Sequence, residues 1–345
     1  MKVCIVLGTR PELIKFTPII EALQSKSEIE LCVINTGQHA DLLEAVPHLA
    51  FQESIYWPHG SENAPLNWKL AHIVQHLDIP LGCHKPAIVL VQGDTTSALA
   101  GALAAANLQL KVGHVEAGLR TYRRDSPFPE ENNRRLISQV TDYHFCISAE
   151  SEKNLRNECT GGLTYVVGST AIEMVLRNQD PIEDKNIVLT LHRRENIESG
   201  DLEAYVKAIV EFLDVHSDVG CTWFTHPNPK VQEVANKYSH ERLGKFNATT
   251  HEVFMKYCRW AWAICSDSGG IQEENTILQK PLFIMREVTE RPEVVDNHIT
   301  RLVYPGNIKY WLDNLYQRPE QFIPGNQPYG VGGAGQTIAN IISNI

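Results

Sequence analysis

Two stretches decide the fold: Val91-Gln92-Gly93-Asp94-Thr95-Thr96 and Cys265-Ser266-Asp267-Ser268-Gly269-Gly270. Each ends an apolar run and opens a helical pattern. Ala87 to Val91 reads as a buried strand and Ser97 to Leu108 as an Ala/Leu helix. Trp262 to Cys265 reads as another strand, and Ile271-Gln272-Glu273-Glu274 as the first turn of another helix. A strand that ends in a polar glycine turn and feeds a helix is the ligand-binding corner of an open α/β sheet. Free backbone N–H groups and the helix dipole favour an anion at such a helix start. Two corners of this kind predict two α/β lobes facing one ligand.

The remaining segments extend the same alternation. Lys2 to Leu7 is a continuous apolar run, the mark of a buried parallel strand. Gly8-Thr9-Arg10-Pro11-Glu12 follows, with Pro11 placed for a helix start. Arg10 and Lys15 fall at that start, where cations are disfavoured unless an anion binds, so phosphate binding is favoured over the alternative of surface cations on an N-terminal turn. Glu30 to Asn35 is a second strand. Trp68 to Leu77 is read as a helix closed by Pro80 and Gly82. Lys111 to Val115, Tyr143 to Ser148 and Thr164 to Val167 complete six strands in the first half. Glu130-Glu131 opens a helix with acids in its first turn, and for Glu131 dipole complementation is the simpler reading. A boundary is placed near Gly168. Five strands follow, at Ile187 to Leu191, Cys221 to Thr225, Trp262 to Cys265, Pro281 to Met285 and Arg301 to Tyr304. The expected domains are 1–168 and 169–325. Ile338, Ile341, Ile342 and Ile345 give the terminal segment 336–345 one apolar helical face that must dock.

Composition narrows the function. A chain of 345 residues, 43% apolar and 21% charged, is long enough for two cored domains. A net charge of −10 argues against nucleic acid or an anionic membrane surface as partner. The eight cysteines form no C-x-x-C pair and read as small buried thiols in a reducing compartment. The chain starts directly in a strand and has no run long enough to span a bilayer, so a cytoplasmic protein is expected. Gly330-Val331-Gly332-Gly333-Ala334-Gly335 matches G-x-G-x-x-G but has no strand before it and no βαβ unit after it. It is rejected as a dinucleotide fingerprint. No cofactor is expected, and the 14 histidines are read as holding no H-x-x-x-H pair on a helix, so no metal site is expected.

Several corners stand together in a recognisable order. They are Gly8-Thr9-Arg10-Pro11-Glu12, Thr36-Gly37-Gln38-His39, Gly93-Asp94-Thr95-Thr96, His114-Val115-Glu116-Ala117-Gly118-Leu119-Arg120, Pro129-Glu130-Glu131-Asn132, His192-Arg193-Arg194-Glu195-Asn196, Asp267-Ser268-Gly269-Gly270-Ile271-Gln272-Glu273-Glu274 and Thr289-Glu290-Arg291-Pro292-Glu293. In this the chain resembles the UDP-N-acetylglucosamine 2-epimerase family over nearly its whole length. The resemblance implies the GT-B fold: two Rossmann-like doubly wound domains, the ligand cleft between them, and a last helix returning to the first domain. It implies interconversion of UDP-N-acetylglucosamine and UDP-N-acetylmannosamine by elimination of UDP to 2-acetamidoglucal and re-addition, in a homodimer feeding surface polysaccharide synthesis. By resemblance Asp94, Glu116 and Glu130 are the acid/base carboxylates, and His192 stabilises the departing diphosphate. Arg10, Lys15, Arg291 and Ser268-Gly269-Gly270 bind phosphates without a metal, Glu274 takes the ribose and Phe254 contacts uracil.

Departures from the family pattern concern regulation. Gln38, Glu131, Arg193 and His226 match part of the allosteric UDP-N-acetylglucosamine site of non-hydrolysing members. Asp41 stands in place of Gln or Glu, the stretch 58–66 lacks an expected arginine, Thr249 replaces a glutamine and Val331 an aspartate. Three other readings stay open: the hydrolysing branch releasing N-acetylmannosamine and UDP, a GT-B glycosyltransferase, and a non-catalytic UDP-sugar sensor.

Overall fold

The computed structural model describes residues 1–38, 51–58, 61, 64–176, 185–247, 249–295 and 298–345. His39, Asp41 and part of the 58–66 stretch lie outside them. The described chain forms two compact units, Met1–Met174 with Tyr329–Ile345, and Val175–Pro328.

The first unit holds a seven-stranded sheet, wholly parallel in its pairings. Its strands are β1 (Lys2–Leu7), β2 (Glu30–Asn35), β3 (Glu53–Ser54), β4 (Ile88–Gln92), β5 (Lys111–Ala117), β6 (Tyr143–Cys146) and β7 (Leu163–Val166), in the order β3-β2-β1-β4-β5-β6-β7. Alternation along β1 feeds both faces. Val3, Ile5 and Leu7 pack with Leu13, Phe16 and Ile19 of helix α1 (Arg10–Gln24). Cys4 and Val6 pack on the other face with helices α2 (Leu66–His84) and α3 (Thr96–Asn107). Helices α4 (Glu130–Val140), α5 (Ala149–Asn157) and α6 (Thr170–Leu176) follow.

The second unit has six parallel strands in the order β10-β9-β8-β11-β12-β13. These are β8 (Asn186–Thr190), β9 (Gly220–Phe224), β10 (Leu243–Phe246), β11 (Ala263–Ser266), β12 (Leu282–Ile284) and β13 (Thr300–Leu302). Helices α7 (Arg194–Ser199), α8 (Asp201–Val215), α9 (Pro229–Lys237), α10 (His251–Trp260), α11 (Gly269–Leu278) and α12 (Ile308–Gln317) connect them. Tyr205, Ile209, Phe212, Trp223, Phe283 and Leu312 form its core.

The last helix, α13 (Ala334–Ile342), buries Ile338 and Ile342 with the α1 side chains of the first unit, whereas Ile345 lies beyond its end and is exposed. The rejected glycine motif has two structural uses here. Gly333 caps α13 at φ 85°, and a Cβ on Gly335 would stand 2.7 Å from the Pro18 backbone.

Four expectations need correction. Helix α2 passes through Pro80 and Gly82 to His84, because Leu81 continues the buried Ile73–Leu77 stripe. Strands β3 and β10 were not expected. The first has two residues, and Leu243-Gly244-Lys245-Phe246 carries no apolar run and exposes its last three positions at a sheet edge. Cys83 and Cys159 are exposed, while the other six cysteines are buried and all eight are unbridged. Finally, His72 and His76 do form a helical pair one turn apart on α2, their ring centroids 4.1 Å apart. Among the described residues no helix is long and apolar enough to cross a membrane.

Candidate functional site

In each sheet the strand order reverses at one place, between β1 and β4 in the first and between β8 and β11 in the second. Loops leaving the strand ends at such a switch point are the natural binding positions of a doubly wound sheet. The candidate residues fall at these four corners and beside them.

In the first unit, Thr9 caps α1 with its hydroxyl and Glu12 closes the capping box. Glu12 does more than cap. It is buried and accepts from Gly8 N (2.9 Å), Thr9 N (2.7 Å) and the Thr95 hydroxyl (2.6 Å), which itself caps α3. One carboxylate thus stitches the β1 corner to the β4 corner. Burial pushes the Glu12 carboxyl above its usual range, against those hydrogen bonds. Arg10 is the first residue of α1 and is half-buried.

Gly93 turns the β4 corner at φ 70°, and its carbonyl accepts from Nε2 of the wholly buried His114 at 2.7 Å. Burial outweighs that bond and holds the His114 imidazole at about 3, so it is neutral at working pH. Asp94 follows. Its carboxylate accepts from Arg134 at 2.6 Å, and its backbone carbonyl accepts from Asn133 at 2.8 Å, which ties the corner to the start of α4. Glu116 sits on a bulge at the end of β5 with φ 64°, a left-handed conformation unusual for a residue with a side chain. The Lys15 ammonium lies 2.5 Å from its Oε2, and the Gln92 amide donates to the same oxygen. Glu130 is half-buried at the first position of α4.

Glu131 is fully buried and is not a dipole complement on an open helix end. It accepts from Thr121 N (2.9 Å), Tyr122 N (3.1 Å), Arg134 (3.2 Å) and Arg135 (3.2 Å), and so braces the loop before α4. Gln38 accepts the Ser97 hydroxyl at 2.7 Å.

In the second unit, Asp267 follows β11 at 0% exposure and is the hub of the switch point. It accepts from the backbone of His192 (3.0 Å) and Arg193 (2.8 Å) and from the Asn196 amide (3.0 Å), and its Oδ1 lies 3.1 Å from His192 Nδ1. Burial pushes its carboxyl up, but His192 and the backbone donors outweigh this and hold it at about 2. The His192 ring also stacks with that of the exposed His226, centroids 5.8 Å apart.

Ser268 precedes α11 without a side-chain bond to the helix, and a Cβ on Gly269 would stand 2.9 Å from both Arg291 Nη1 and Glu290 Oε1. A side chain at Gly269 would push the Arg291 guanidinium and the Glu290 carboxylate away from this helix start. Gly270 follows it within the first turn. Arg291 is itself buried, donating from Nε to Glu273 at 2.8 Å and through its other nitrogens to Glu273 and Glu290. Glu290 also accepts from Arg286 at 2.9 Å. Two cations and two carboxylates therefore form a buried cluster beneath α11. Glu274, 5% exposed, is 2.6 Å from His251 Nε2. Phe254 packs edge-on to Phe224, centroids 5.3 Å apart.

Nothing in the sequence marks a site role for Glu12, Glu273, Glu290, His251 or Asp267. The Thr9-x-x-Glu12 spacing signals a capping box, but only the fold shows its second partner, Thr95. Nothing local marks Asp267 as the partner of a histidine 75 positions earlier. No group of three or more potential metal ligands occurs among the described residues.

A family model described as UDP-N-acetylglucosamine 2-epimerase matches residues 21–343. The chain is 36% identical over 361 residues to the UDP-N-acetylglucosamine 2-epimerase of Bacillus subtilis, covering 98% of this chain and 94% of the relative. It is 34% identical over 381 residues to that of Escherichia coli K12, covering 100% and 99%. Among solved structures, it resembles the Neisseria meningitidis UDP-GlcNAc 2-epimerase bound to UDP-GlcNAc, with TM-score 0.93, 32% identity and full coverage of both chains. The S. aureus MnaA–UDP co-structure gives TM-score 0.91 at 33% identity, covering 99% and 96%.

Proposed function

The chain belongs to the UDP-N-acetylglucosamine 2-epimerase family, whose GT-B-like fold its two parallel-sheet units share, and from that membership we propose that it interconverts UDP-N-acetylglucosamine and UDP-N-acetylmannosamine without net hydrolysis. By the same likeness it acts as a cytoplasmic homodimer supplying surface polysaccharide synthesis.

The C2 hydrogen of the sugar is not adjacent to a carbonyl and is a poor acid. Cleavage of the C1–O bond therefore runs ahead, its electron pair leaving with UDP while positive charge grows at C1. A carboxylate then takes the C2 proton, and the C1–C2 double bond of 2-acetamidoglucal forms. Protonation on the other face of C2 and return of the UDP oxygen to C1 give the epimer. Such a path needs carboxylates near the sugar and donors for the diphosphate. Asp94, Glu116 and Glu130 take the first role. Arg10, Lys15, Arg291 and the start of α11 at Ser268, Gly269 and Gly270 take the second, with His192 at the leaving oxygen. Glu274 binds the ribose and Phe254 the uracil.

The observation that supports this reading best is a cation beside each of two of these carboxylates, Arg134 beside Asp94 and Lys15 beside Glu116. Positive charge beside a carboxylate favours its ionised form, the form that accepts the C2 proton. The test is incubation with UDP-N-acetylglucosamine in deuterated water, without acceptor, followed by NMR. Deuterium at C2 of both UDP-sugars is expected. Free N-acetylmannosamine with UDP would assign the hydrolysing branch. No exchange would leave a transferase or a sensor.

A further inference from the structure

We infer that Asp267 is a positioning residue that makes His192 donate from Nε2 only as an imidazolium. The inference deepens the reading of His192 as the group at the departing diphosphate and rests on that reading. Asp267 Oδ1 lies 3.1 Å from His192 Nδ1, and the carboxylate is wholly buried. Backbone N–H groups of His192 and Arg193 and the Asn196 amide all donate to the same carboxylate. Asn196 also donates to the Met285 carbonyl at 3.0 Å, so the ends of β8, β11 and β12 are tied to one point. The carboxylate is fixed, and three N–H groups donating to it favour its ionised form.

An ionised carboxylate only accepts hydrogen bonds. The nitrogen facing it must therefore carry a proton. A neutral imidazole has a single N–H, which Asp267 claims at Nδ1, leaving Nε2 as a bare lone pair. That lone pair repels a phosphate oxygen. Donation from Nε2 requires a second proton on the ring, and with it a full positive charge. The protein thus excludes the neutral Nε2–H tautomer, which would offer the same hydrogen bond without the charge. A full charge interacts most strongly when the oxygen opposite is most negative, which is after C1–O cleavage. Asp267 in this way ties His192 to the transition state and not to the bound ground state. It touches no substrate itself.

The test uses full-length protein carrying ¹⁵N-histidine. In the wild-type complex with UDP, the His192 resonances should show both ring nitrogens protonated. A neutral ring with its proton on Nε2 would overturn the inference, and this reading needs no variant to fold. Asp267→Asn supplies the second arm. Its amide can donate to Nδ1 and so permits the neutral Nε2–H tautomer. The variant's spectrum should show that tautomer, with turnover down about a hundredfold and UDP affinity within about threefold of wild type. Turnover kept while UDP affinity collapses would make Asp267 a plain structural brace and overturn the inference. The nitrogen shifts are read with UDP alone, so they stand apart from whether the enzyme epimerises.

Discussion

Lys15 Nζ lies 2.5 Å from Glu116 Oε2, an ion pair that joins helix α1 to the end of β5 across 101 positions of sequence. Lys15 acts on that carboxylate as well as on any phosphate nearby. Glu116→Gln, Asp94→Asn and Glu130→Gln should each lower turnover by roughly a hundredfold or more while UDP binding survives. Lys15→Met should lower both turnover and affinity. Calorimetric titration with UDP beside the NMR assay separates the two effects, and full activity in any carboxylate variant removes that residue from the mechanism.

Arg291 bears on stability as well as on ligand binding. Its guanidinium is spent on Glu273 and Glu290 inside the second unit. Arg291→Ala leaves buried carboxylates short of a partner, which costs about 3–5 kcal/mol. Urea denaturation should show a clearly lowered midpoint. An unchanged midpoint with weakened UDP binding would identify a ligand contact alone.

His114 makes the fold acid-sensitive. Its folded value of about 3 lies below the ordinary 6.5, so the unfolded chain takes up a proton that the folded one refuses. Its contribution is complete above pH 6.5 and is lost as the pH falls toward 3, at about 1.4 kcal/mol per pH unit. His144, directly opposite on β6, is lowered by burial and adds in the same direction. His114→Gln keeps a donor for the Gly93 carbonyl and removes the titration. Unfolding free energies at pH 7, 5.5 and 4.5 should fall less steeply in the variant, and parallel slopes would dismiss His114 as the cause.

Regulation should differ from that of the allosterically activated members the chain resembles. Gln38 is engaged by Ser97, and Glu131 is spent on the loop at Thr121 and Tyr122. Asp41, when ionised, repels a second diphosphate. The reverse reaction from pure UDP-N-acetylmannosamine should therefore start without added UDP-N-acetylglucosamine and be hyperbolic in substrate. A lag abolished by a trace of UDP-N-acetylglucosamine would refute this.

The sequence by itself determined the elements with continuous or periodic apolar patterns. β1 and β2 begin and end where their runs do, and the helix starts at Arg10 and Glu130 carry their own signals in Pro11 and the paired acids. Burial selects such patterns locally, so they can be read locally. The two-residue β3, the polar edge strand β10 and the passage of α2 through Pro80 are decided by neighbours: a strand to pair with, or a core for Leu81 to fill. The same division runs through the candidate site. Residue types at the corners mark where anions and protons are to be handled, since helix starts and glycine turns are short-range features. Which cation meets which carboxylate was settled only by tertiary structure. Lys15 reaches Glu116, Arg134 reaches Asp94, and Asp267 holds His192 because strands and helices distant in sequence come side by side at the strand ends of each sheet. Electrostatic pairing depends on distance in space, and the order of residues along the chain does not carry that distance.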